Sequence, residues 1–133
     1  MKELAIVVQK MGDFSVQERK QQLTEPGAEL VARIMSEVDF DRRLVGNRVR
    51  PRWGSIQADL YSVREVALLL SDKHPAIELD RLEQWLRTTV GDEELADRVK
   101  EVRMQDVSDR ELLQRVRRLL DERLEQCRCA TAN

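Results

Sequence analysis

Tyr61-Ser62-Val63-Arg64-Glu65-Val66-Ala67-Leu68-Leu69-Leu70 is the stretch whose reading settles the fold expected of this chain. Ser62 and Glu65 stand three apart, the spacing of a capping box, in which each side chain accepts from the other's free backbone N–H. Tyr61 before the cap and Val66 inside the helix supply the matching hydrophobic staple. From Val66 to Leu70 the run is apolar all round, which predicts a helix buried on more than one face.

The same helical grammar continues downstream. After a polar break through Pro75, Leu79, Leu82, Leu86 and Val90 share one helix face, with Trp85 beside them. Gly91 is placed to end that helix, and Asp92 to cap the next one, with apolar positions Leu95, Val99 and Val102. Ser108-x-x-Glu111 opens a last helix, striped by Leu112/Leu113, Val116, Leu119/Leu120 and Leu124, while residues 130–133 read as a frayed tail. Upstream, Leu30/Val31, Ile34/Met35 and Val38 recur at helical period after Thr24-Glu25-Pro26, a helix-start signal. Ser15-x-x-Glu18 is a further capping box, and Leu4 to Val8 reads as a helix turn in preference to a strand, because no second clear strand offers itself as a partner.

These patterns predict an all-α fold: a single helical domain over residues 1–129, a bundle of about five or six helices. With 4% aromatic residues its core must be aliphatic, and with 36% charged residues its outer faces must be solvated. The exception is the run from Phe40 to Ser55. It holds Arg42, Arg43, Arg48, Arg50, Arg52 and Trp53, with no acid after Asp41. Gly46-Asn47 suggests a tight hairpin turn there, and Pro51 and Gly54 argue against a helix across Arg52-Trp53. An irregular basic loop or small hairpin over residues 42–54 is therefore expected beside the helices.

Arginine recognises phosphate and carboxylate, and a tryptophan offers a stacking surface, so these six residues are the candidate partner-binding site. The competing reading is that the arginines lie over acidic helix faces and pin the loop. The net charge of −2 makes no whole-chain case for nucleic acid. His74 is the one histidine and reads as a solvated loop residue. No phosphate-binding glycine loop or nucleophile motif is present, so neither an enzyme nor a cofactor is expected. Cys127 and Cys129 read as a core thiol and a tail thiol, not as half of a zinc site. Two tail cysteines and no membrane-spanning run suggest a cytoplasmic protein.

The run 61–70, followed by Trp85, resembles the opening of MerR-type and excisionase-type helix-turn-helix domains, with their capped helix containing Glu-Val-Ala. That resemblance implies DNA binding by the second helix, Asp80 to Thr89. The chain departs from the pattern in its long, proline-bearing connection and in Asp80 and Glu83 on the would-be recognition helix. Trp85 through Leu124 is also similar to the end of an uncharacterised family of small bacterial proteins, which implies no activity. The function expected from the residues is thus a small non-enzymatic adaptor that binds a protein partner or a second copy of itself. The alternative is a DNA- or RNA-binding regulator using segment 42–53 and the helix-turn-helix-like stretch 61–90.

Overall fold

The arginine-rich run is β structure, and this corrects the all-α expectation. The computed structural model describes residues 23–132, which comprise five helices and a three-stranded antiparallel sheet. Chain order is α1 (Ala28–Met35), a single 3-10 turn at Phe40–Arg42, β1 (Leu44–Arg50), β2 (Gly54–Leu60) and α2 (Val63–Leu70). There follow β3 (Pro75–Ala76), α3 (Leu79–Gln84, continued as one π turn over Trp85–Val90), α4 (Glu93–Arg103) and α5 (Asp109–Ala132). The sheet order is β2-β1-β3. The expectations for Leu4 to Val8 and for Ser15-x-x-Glu18 lie outside the described residues.

The hairpin turns at a different place from the one Gly46-Asn47 suggests. Gly46 and Asn47 are mid-strand, paired with Ala58 and Gln57. The turn is Arg50 to Gly54: the N–H of Trp53 donates to the Arg50 carbonyl at 3.1 Å, and Gly54 takes a left-handed φ of 78°. Pro51 pre-sets the φ of the second turn position, and glycine accepts the positive φ without strain. Gly46 serves packing instead. A Cβ there would stand 2.6 Å from Leu69 Cδ2 and 3.2 Å from the Ala76 carbonyl oxygen, so α2 can approach the sheet only over a glycine.

The helix signals hold in most details. Ser62 Oγ accepts from the Glu65 N–H at 3.2 Å, while Glu65 returns its bond to the N–H of Tyr61, one residue before the cap. Asp92 Oδ1 accepts from Leu95, Ser108 Oγ accepts from Glu111, and Gly91 ends α3 with φ 86°. α1 starts later than its sequence signal, with Gly27 as the cap and Pro26 outside the helix. α2 is also less enclosed than expected: Val63, Val66, Leu69 and Leu70 are buried, but Leu68 is 61% exposed.

The core lies among the helices. Val66, Leu69, Leu82, Leu86, Leu95, Val99, Val116 and Leu120 are all fully enclosed. α5 is the central element, with α1, α2 and α4 packed against it, and α3 packs on α4. The apolar stripe of α5 is therefore spent inside the molecule. Leu124 and Cys127 extend it in the buried core, and Leu112, Leu113 and Leu119 pack partly buried against it. The sheet joins this core at one end only. Leu44, Gly46, Ala58 and Leu60 are buried, and beyond them the hairpin leaves the helices.

Candidate interaction surface on the hairpin

Strand alternation sorts the hairpin's side chains. Leu44, Gly46, Arg48 and Arg50 of β1 share the helix-side face with Ile56, Ala58 and Leu60 of β2. Val45, Asn47, Val49, Ser55, Gln57 and Asp59 lie on the other face. Four of the eight exposed large apolar residues, Val45, Val49, Trp53 and Ile56, belong to the hairpin. A stretch of seventeen residues (44–60) thus carries half of the large apolar side chains that the described residues expose to solvent.

The six candidate residues do not form one patch. Seven residues of extended strand separate the base of β1 from its tip, a distance of about 20 Å. Arg42 and Arg43 lie at the base. There the Trp85 indole N–H donates to the Arg42 carbonyl at 2.8 Å and fastens the strand entry to α3. Arg43 pairs with Asp59 at 3.2 Å and lies 3.8 Å over the Phe40 ring. Its guanidinium and the neighbouring Gln57 amide hold the Asp59 carboxyl below the ordinary carboxylate range, the amide having the larger effect.

Arg48, Arg50, Arg52 and Trp53 lie toward the tip. Arg50 makes a two-pronged pair with Asp72, at 2.8 and 3.1 Å. That contact is the main reason the Asp72 carboxyl is lowered to about 2. The pair joins the far end of β1 to the α2–β3 connection. Arg42, Arg48 and Arg52 make no ion pair or side-chain hydrogen bond with the described residues, although Arg48 feels the charge of Asp72. Trp53 is 80% exposed at the turn.

Two arginines therefore pin the hairpin, while Arg42, Arg48 and Arg52 have no ion pair among the described residues, Arg42 and Arg52 being exposed and Arg48 half-buried on the helix-side face. The pinning acids are Asp59 and Asp72, one in β2 and one after α2, and neither lies on an acidic helix face. Sequence inspection missed them because both are distant in sequence from their arginines.

No protein-family model, curated protein or solved structure matches this chain.

The helix-turn-helix-like stretch has its own geometry. Residues 71–78, between α2 and α3, include β3, whose Ala76 pairs with Asn47 of β1. α2 packs chiefly on α5, and α3 on α4. On the would-be recognition helix, Leu82, Glu83, Trp85 and Leu86 are buried. Burial alone would raise the Glu83 carboxyl, but Arg103 and Arg87 outweigh it and hold it below its ordinary value. That helix is committed to the interior along much of its length.

His74 is exposed at the rim of a cleft of about 690 Å³ between the α2–β3 connection and the first turns of α5, floored by Leu70 and Leu113. Cys127 is buried, its thiol pushed up by desolvation, and Cys129 is exposed at hydrogen-bonding distance from Glu125. Among the described residues no three His, Cys, Asp or Glu side chains converge as a metal site, and no helix is long and apolar enough to cross a membrane.

Proposed function

We propose that this protein is a non-enzymatic interaction module that contacts a protein partner through the tip of the β1–β2 hairpin. The observation that carries this reading is the exposure of Trp53. A large indole stands in solvent on a turn fixed by Pro51, Gly54 and the Arg50–Asp72 pair. Tryptophan and arginine are the residues most enriched at interface hot spots, and a rigid turn loses little entropy when it docks. The flanking charges are Arg48 and Arg52, so the fitting partner is a protein with an apolar pocket and an acidic rim.

Nucleic acid is the alternative, supported by the same arginines and tryptophan. It is the weaker reading because, among the described residues, only two arginines without an ion pair, Arg48 and Arg52, lie near the tip. Two phosphate contacts give a log–log salt slope of only about −2 on duplex DNA, and the protein's net negative charge opposes the encounter. Random-sequence duplex or single-stranded nucleic acid is expected to bind no tighter than about 100 μM at physiological salt.

The test is capture of a partner from the source cell by wild-type protein and by Trp53→Ala and Arg52→Glu variants. Both substitutions are on the surface and should change stability by less than about 0.5 kcal/mol. Each should nonetheless abolish capture of the same protein. A partner held equally by both variants would remove the tip from the interface. Submicromolar, salt-sensitive binding of nucleic acid would put the alternative first.

A further inference from the structure

Among the described residues β2 is the outer strand of the sheet, met on its outward side only past its end, where the Val38 N–H donates to the Tyr61 carbonyl at 2.7 Å, and its backbone geometry specifies an occupant. The N–H of Val49 donates to the His74 carbonyl at 2.9 Å, and Asn47 pairs with Ala76. The odd-numbered residues of β1 therefore direct their peptide groups toward β3, and Pro75, opposite Arg48, needs no N–H. The even-numbered residues direct theirs toward β2. Arg48 pairs with Ile56 and Gly46 with Ala58, so in β2 the even residues face β1. The peptide groups of Ser55, Gln57 and Asp59 then point out of the sheet. No backbone bond to any described residue outside the β1–β2 ladder satisfies them.

Edge strands are ordinarily blunted by charged side chains, lysine above all, by proline, a bulge or a covering element, and of these β2 has only the charge of Asp59, at one end and already paired with Arg43. Gly54-Ser55-Ile56-Gln57-Ala58-Asp59-Leu60 has no lysine or proline, pairs with β1 without a bulge, and has no strand beyond it among the described residues.

We infer that β2 pairs antiparallel with β2 of a second copy of this chain, about a two-fold axis at Gln57, to make one continuous six-stranded sheet. In this register the edge runs up to the Trp53 turn, which falls opposite Tyr61 of the second copy, and the inference does not depend on the partner proposed above. Three complementarities single out the second copy and its register. Ser55 falls opposite Asp59, Gln57 opposite Gln57, and Asp59 opposite Ser55, so all three outward-facing residues of each strand are paired at once. Shifting by two residues in either direction leaves part of that set unpaired. The one charge on the edge, Asp59, meets a serine of the second copy, whereas a two-fold centred on residue 59 would set it against itself. On the helix-side face, Ile56, 47% exposed, meets Ala58 of the second copy beside the exposed Leu68.

The experiment is sedimentation velocity of the full chain from about 5 to about 500 μM, with amide hydrogen exchange at both ends of that range. Wild type should pass from 15.5 kDa to twice that mass. The amides of Ser55, Gln57 and Asp59 should become protected as it does. Gln57→Lys places like charges opposite each other and should raise the dimer dissociation constant at least tenfold. Gln57→Pro removes an outward N–H and the side-chain bond to Asp59 but no β1–β2 ladder bond, and should leave a monomer with its β1–β2 pairing intact. A mass of 15.5 kDa throughout would overturn the inference, whether or not the edge amides are protected. So would a dimer as tight in Gln57→Lys as in wild type, a result that holds even if the proline variant fails to fold.

Discussion

Gly46 shows how much a single position can constrain. Any Cβ there meets both a side chain of α2 and the backbone of β3, and the backbone oxygen cannot move aside as Leu69 can. Gly46→Val should destabilise by about 1–3 kcal/mol through overpacking, measured as a lower denaturant midpoint at unchanged slope. Leu69 stands across the same contact and is fully buried, so Leu69→Ala should cost about 2–5 kcal/mol. In the sequence Gly46-Asn47 looks like a turn, because the local signal is strong. Its actual role depends on a leucine more than twenty positions away, which no local rule can see.

At the scale of elements, the hairpin is held at two points, and one of them is sensitive to acid. Asp72 has its folded-state value depressed from 3.8 to about 2 by Arg50. A depressed carboxylate stabilises the fold above its unfolded value, and that contribution is lost as pH falls from 3.8 through about 2. Asp72→Asn should therefore lower the thermal midpoint near pH 6, and the difference from wild type should shrink toward zero near pH 2. A difference independent of pH would mean that the pair does not anchor β1. The helices were legible because capping boxes, a terminal glycine and 3.6-residue periodicity are local features. The strands were not. Gly54, Ser55, Gln57, Ala58 and Asp59 of β2 are all residue types of low or indifferent β preference, and only pairing with β1 makes them a strand. β3 is two residues long and exists only as an addition to β1. Of the candidate site, the residue types were readable, but their division into two pinned arginines and three without an ion pair among the described residues follows from Asp59 and Asp72, which only the fold brings near.

Across the whole molecule, the described chain is closed by a buried charge cluster remote from the hairpin. Arg123 and Asp92, each with 1% of its side chain exposed, form a two-pronged pair at 2.8 and 3.2 Å. Arg123 also donates to Glu94, to Gln126 and to the Thr24 carbonyl, tying the start of the described chain to α4 and α5. Arg123→Ala leaves Asp92 buried without its counter-charge and should cost about 3–5 kcal/mol in denaturant unfolding. The helical body thus turns the α5 stripe and the apolar face of α3 inward, and the hairpin projects from it with apolar and cationic side chains in solvent. The most direct test of that division of labour is site-specific photo-crosslinking in the source cell, with benzoylphenylalanine in place of Trp53 or, as the control, of Met104 on the helical body, which is 73% exposed. The account predicts one discrete protein adduct from position 53 and none from position 104. The same adduct from both positions, or none from position 53, would contradict it.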